Sequence, residues 1–144
     1  MNVDEISVEV IQRTLALDFP TLTPREKVAG HDGYILAGLS SSSGLLNMLK
    51  AVSPERIVEL CKRDNSLIPA NMPYFVPQVV DRYRAIGQPD VANQILATLP
   101  GAISRLEQGI ADGHFGNGHS LPFAKESLET LKKYHARIQG ETNG

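Results

Sequence analysis

"LPFAKESLETLKKYHARI", residues 121–138, decides the fold class. Leu121, Ala124, Leu128, Leu131, His135 and Ile138 recur at intervals of three and four. That spacing follows the helical turn and puts all of them on one face, where a strand would alternate. Ser120 stands in the N-cap position, with Pro122 just inside the first turn. Glu129 and Lys133 are four apart and can pair on the opposite side. A helix over residues 121–138 is predicted, with Leu128 and Leu131 in the core.

Working back along the chain, the punctuation is of the same kind. Pro100 opens a helix ending near Asp112, where Gly113 suits the C-terminal cap. Pro89 opens another that ends near Leu99. Before it, Val79, Val80, Tyr83 and Ile86 share a face, and Gly87 closes that segment. "NSLIPANMP", residues 65–73, reads as a loop. Ser53-Pro54 starts a helix through about Asp64, and residues 44–52 form one after the serine run 40–43. Thr23, Pro24 and Glu26 make a capping box with proline at the first helical position. Gly30, Gly33 and Gly38 weaken the helix started by that box and leave residues 34–39 as a separate short helix. Asn2 and Glu5 make a further capping box for an N-terminal helix. The fold class predicted is all-α: a compact bundle of about six or seven short helices, residues 1–144 forming one domain.

The bulk properties narrow the function classes. The chain has 144 residues, 42% hydrophobic and 21% charged, a globular balance with enough apolar material for a core. Its net charge of −2 argues against nucleic acid as partner, because phosphate neutralisation needs a basic surface. No apolar run approaches the roughly 20 residues of a membrane span, so no membrane partner is expected. The single cysteine, Cys61, forms no internal disulfide, and "MNVDEISVEV" carries acids where a signal peptide carries bases. The expected location is the cytoplasm, or export without a recognisable signal peptide.

"GHFGNGHS", residues 113–120, is the most unusual stretch. As a metal site it would use His114 and His119, with Asp112 and His135 completing the ligand set. As a structural corner every residue has a local job: Gly113 ends a helix, Asn117-Gly118 turns with positive φ, and Ser120 caps the next helix. The corner reading needs no ligand and is preferred, so no cofactor is expected. Cys61 shares helical spacing with Ile57, Leu60 and Asp64 and reads as a small core side chain.

Three short resemblances bear on function. "GHDG", residues 30–33, resembles the His-Asp pair of the HD-type metal phosphohydrolases, which would imply a metal-dependent hydrolase; no histidine precedes His31 to complete that family's set. "LTPREKVA", residues 22–29, followed by "ILAGLS", 35–40, is similar to the start of a LuxR-type helix-turn-helix domain. The basic recognition helix that DNA binding would require is missing, since "SSSSGLLNML" carries no arginine or lysine. "YRAIGQPDVANQILATL", residues 83–99, looks like a tetratricopeptide unit, but there is no second copy at a matching period.

"MPYFVP", residues 72–77, sets Tyr74 and Phe75 between prolines in what reads as a stiff loop, projecting from the bundle or tucked under it. Exposed there, the rings would anchor a protein interface. No acid–base or nucleophile constellation appears, which argues against an enzyme. The expectation is a soluble helical module of adaptor, inhibitor, immunity or effector type that binds another protein through Tyr74 and Phe75. The alternative is a small metal-dependent enzyme or metal-binding protein using the 112–119 loop.

Overall fold

The computed structural model describes residues 3–40, 45–63 and 67–143, so the Asn2 cap, Ser41 to Ser43 and Asp64 lie outside the described residues. The protein is all-α. The described residues form eight helices and no strand: α1 (Val3–Ala16), α2 (Pro24–Leu39), α3 (Leu45–Ala51), α4 (Pro54–Lys62), α5 (Leu67–Ala85), α6 (Pro89–Leu96), α7 (Leu99–Ala111) and α8 (Ser120–Asn143). The chain divides into two compact units, residues 1–57 and 58–144, with the boundary inside α4.

In the first unit α1 and α2 each pack on α3. The capping box at the start of α2 is complete: the Glu26 amide donates to Thr23 Oγ1 at 3.2 Å, and the Thr23 amide donates to Glu26 Oε1 at 2.8 Å. Lys27 Nζ lies 2.7 Å from Asp18 Oδ1. These contacts hold both carboxyls below the usual carboxylate range, Asp18 through Lys27 and Glu26 through the Thr23 amide. Because both folded-state values are depressed, their support is present above that range and is lost as the pH falls through it.

The three glycines do not interrupt α2, which runs unbroken through residues 30–38. The expected short helix at 34–39 is therefore part of one continuous helix that also takes in His31 and Asp32. Asp32, Ile35 and Leu39, at spacings of three and four, are buried on one face. Each exposed helical glycine costs only about 0.5–1 kcal/mol, too little to outweigh that face and the cap. Residues 24–29 of "LTPREKVA" and 35–39 of "ILAGLS" thus lie in a single helix.

In the second unit α5 packs against α6, α7 and α8, and α7 against α8. Here the largest correction falls. Residues 67–76, read as a loop, are the first half of α5, with Pro73 and Pro77 inside it. Pro69 is the third helical residue, where no intrahelical donor is needed. Pro73 and Pro77 are four apart, so the two missing amides fall on one stripe. Interior prolines cost roughly 3 kcal/mol each. Full burial contributes about 1.5–3 kcal/mol per large apolar side chain. Ile68, Met72, Phe75, Val76, Val79, Val80 and Tyr83 are each at most 1% exposed. Burial wins, and the segment is helical against its local signals.

The C-terminal end of α5 closes as its glycine suggests. Gly87, at φ +81°, ends α5 with its amide on Arg84 O and the Gln88 amide on Tyr83 O, at 3.2 and 2.8 Å. Arg105, from α7, donates to the Cys61 carbonyl at 3.1 Å near the end of α4, where a cation suits the helix dipole.

The final helix is longer than predicted and is rotated. Its buried stripe is Ala124, Ser127, Leu131, Tyr134 and Ile138; Leu128 and His135 are only half-buried. The helix lies between two neighbours, so its buried face is centred between them. Phe123 meets Tyr74 of α5 on one flank, and Lys132 meets Glu107 of α7 on the other.

Two measurements check this packing. Leu131→Ala should lower urea stability by about 2–5 kcal/mol, while half-exposed Leu128→Ala should lose under about 1.5 kcal/mol; equal losses would contradict the rotation. Gly30→Ala and Gly33→Ala meet open space and should each gain about 0.5–1 kcal/mol. Gly38→Ala should instead lose stability in the same titration. Its Cβ would lie 2.3 Å from Cε and 3.4 Å from Cβ of Met48, which is itself buried.

Candidate functional site

Two regions can be built from the residues upward: the 112–120 corner and an aromatic pair shared by α5 and α8.

The corner begins with a glycine cap. Gly113 has φ +77°, its amide donates to Ile110 O at 3.2 Å, and the His114 amide donates to Gly109 O at 3.0 Å. Gly116, at φ +60°, donates to Gly113 O at 3.1 Å and turns the chain again. The second left-handed residue is therefore Gly116. Asn117 and Gly118, predicted to supply it, have no positive φ. Helix α8 begins at Ser120 itself.

What holds the corner is an apolar contact. Phe115 is buried at 7% exposure and lies over Gly109 of α7. A Cβ on Gly109 would sit 3.3 Å from the Phe115 ring and 3.5 Å from His114 Nδ1. Gly109 thus permits a close seating of the ring; a Cβ there would push its neighbours by a few tenths of an ångström. Sequence reasoning missed this pair; its signal is a lone aromatic among glycines, six residues after a helical glycine.

The candidate metal ligands are not assembled. Asp112, His114 and His119 are exposed, and Asp112 accepts a 2.8 Å hydrogen bond from Gln108. His135 lies in α8 beside the α6–α7 corner. His31 Nδ1 is 3.4 Å from Arg56 Nη2 of α4. Among the described residues no group of three or more His, Cys, Asp or Glu is placed to hold a metal ion. Cys61 is fully buried, and burial pushes its thiol up to about 12 against the pull of Arg105; it is a core residue with no thiolate to offer at neutral pH.

The aromatic pair is the more distinctive surface. Tyr74 is 46% exposed, and its ring stacks on Phe123 with centroids 5.7 Å apart and planes at 2°. Phe75, one residue on, points the other way along the helix and has no exposed surface. Its expected role as a surface anchor is therefore corrected: the helix that replaces the loop divides the two rings between outside and core. Leu67, two turns before Tyr74 and on the same face, is 58% exposed. Asn71 and Gln78 on that face fold back onto the Leu67 and Tyr74 carbonyls at 2.7 and 2.9 Å. Phe123 was not singled out by sequence reasoning, because nothing in its own helix shows that it meets Tyr74.

These features define an all-α protein with an exposed aromatic surface on its second unit. Comparison of the chain with protein families, with curated proteins and with solved structures gives no match.

The corner reading has a direct check. Gly113→Ala and Gly116→Ala should each cost about 1–2 kcal/mol in chemical denaturation, the penalty for a side chain in the left-handed region. Gly118→Ala and the double variant His114→Ala/His119→Ala should stay within about 0.5 kcal/mol of the parent. Elemental analysis after gel filtration should find no stoichiometric metal; a metal lost in the double variant would overturn the reading.

Proposed function

We propose that residues 1–144 act as a non-enzymatic helical module that binds another protein, with Tyr74 at the centre of the contact. The observation that supports this most is the flat stack of Tyr74 on Phe123 at the surface. A ring held by a second ring has little side-chain entropy left to lose on binding. Its outer face and its hydroxyl remain available, which is the amphipathic character that interface anchors share. Leu67 extends the apolar stripe along α5. The amides of Asn71 and Gln78 already donate to α5 backbone carbonyls. A partner covering this face therefore needs to desolvate few unsatisfied groups.

No described helix is long and apolar enough to cross a membrane. We infer a cytoplasmic protein, or one exported without a recognisable signal peptide, with a protein partner rather than nucleic acid, in keeping with the net charge of −2.

Tyr74→Ala tests it. Capture of the partner from a host lysate should fall at least roughly tenfold, as loss of a central aromatic anchor implies. Folding stability should change by about 1 kcal/mol or less, because the side chain is half exposed. Lys62→Ala, an exposed change elsewhere, should capture as the parent does. Undiminished capture by Tyr74→Ala would remove this surface from the function.

A further inference from the structure

Asn117-Gly118 does not form the left-handed turn its sequence suggests, since neither residue has a positive φ, and the pair lies between α7 and α8 in neither helix. Asn117 is exposed, and a Cβ on Gly118 would meet nothing within 4 Å. Gly118 takes part in the corner through its carbonyl, which accepts from the Leu121 amide at 3.4 Å. Its own amide donates to no described residue, and the Asn117 side chain has no hydrogen-bond partner among them.

The same corner holds a second pair of this type, Asp112-Gly113, and it is built differently. The Gly113 amide donates to Ile110 O at 3.2 Å, and Asp112 Oδ1 accepts from Gln108 at 2.8 Å. Backbone amide and side chain are both engaged. The other described asparagines are held as well. Asn47 is buried in α3. Asn71 and Asn93 lie inside α5 and α6, where the amide that follows each belongs to the helical ladder.

We propose that Asn117 is a site of enzyme-independent covalent modification, deamidation through a cyclic imide closed with Gly118. The Gly118 amide gives its proton to solvent and its nitrogen attacks Asn117 Cγ. The bond from Cγ to the side-chain amino group breaks, and that group takes a proton from water and leaves as ammonia. Water then opens the imide at one of its two carbonyls. Opening at Cγ restores the backbone and leaves an aspartyl side chain; opening at the backbone carbonyl routes the chain through Cγ and leaves an isoaspartyl residue. One water is consumed and one ammonia released, with no change of oxidation state. The product carries the net charge one unit below −2. The new carboxylate stands just before the first turn of α8, where a negative charge suits the helix dipole. Gly118 is favourable because it brings no side chain against the attacking nitrogen. The modification goes beyond the protein-binding reading and does not depend on it.

The test incubates the purified full chain in mildly alkaline buffer made with heavy-oxygen water, at physiological temperature. Peptide mapping by mass spectrometry then reads each asparagine on its own peptide, Asn143 before Gly144 included. Asn117 should convert to paired aspartyl and isoaspartyl forms that carry one solvent oxygen, while Asn71 and Asn93 stay intact. Asp112→Asn places an identical Asn-Gly pair in the same corner. In the folded variant position 112 should convert roughly tenfold more slowly than Asn117, the effect of its engaged amide on the barrier. In urea, which frees that amide, the two rates should converge. Gly118→Ala, which meets open space, should slow conversion at Asn117 roughly tenfold, and it remains decisive if Asp112→Asn does not fold. The proposal is overturned if Asn117 stays intact, if it converts no faster than Asn71 and Asn93, if position 112 of folded Asp112→Asn converts as fast as Asn117, or if the difference between them persists in urea.

Discussion

The second unit depends on a helix that could not stand alone. Pro69, Pro73 and Pro77 recur every four residues in α5, and two of them remove interior hydrogen bonds. In isolation such a segment would not nucleate. It is helical because seven large side chains along it are sealed from water by the rest of the unit. The helices α6, α7 and α8 are therefore conditions for α5 as much as they are its neighbours. The position of Tyr74 is a direct result: the packing that buries Phe75 turns the preceding ring outward.

Much of the fold was legible where the deciding interaction is local. The Thr23 to Glu26 capping box and the glycine ends at Gly87 and Gly113 involve residues within five positions of one another. Local chemistry is enough to specify them. The class, all-α, comes from the same signals. Elsewhere the local signal pointed the wrong way. Prolines in 69–77 and glycines in 30–38 are breakers by propensity, and only burial against distant segments overrides them. The rotation of α8 was hidden for a related reason. A stripe of apolar residues gives a face, but its centre depends on where two neighbours sit, and this brought Ser127 and Tyr134 inward in place of Leu128 and His135.

The candidate site was half legible. The exposure of Tyr74 was legible, although it was argued from a loop where the chain is helical; its stacking partner Phe123 lies 38 residues beyond Ala85, the last residue of α5. In the corner, the Asn-Gly pair drew attention to Gly118 because that dipeptide favours tight hairpin turns. Between two helices the geometry differs. The chain must first leave α7 and then turn beneath Phe115, and the left-handed positions fall at Gly113 and Gly116. The histidines that gave the stretch its metal-like look simply occupy exposed positions of this path.

The seating of Phe115 on Gly109 has a further consequence. It anchors the corner at its first half, so residues 116–119, all exposed, form a tip whose conformation the core does not read. Such tips are where chains accept extra length, foreign segments or relocated termini. Between α7 and α8, which are packed on each other regardless, the tip is a natural seam for building a label, an epitope or a second domain into this scaffold.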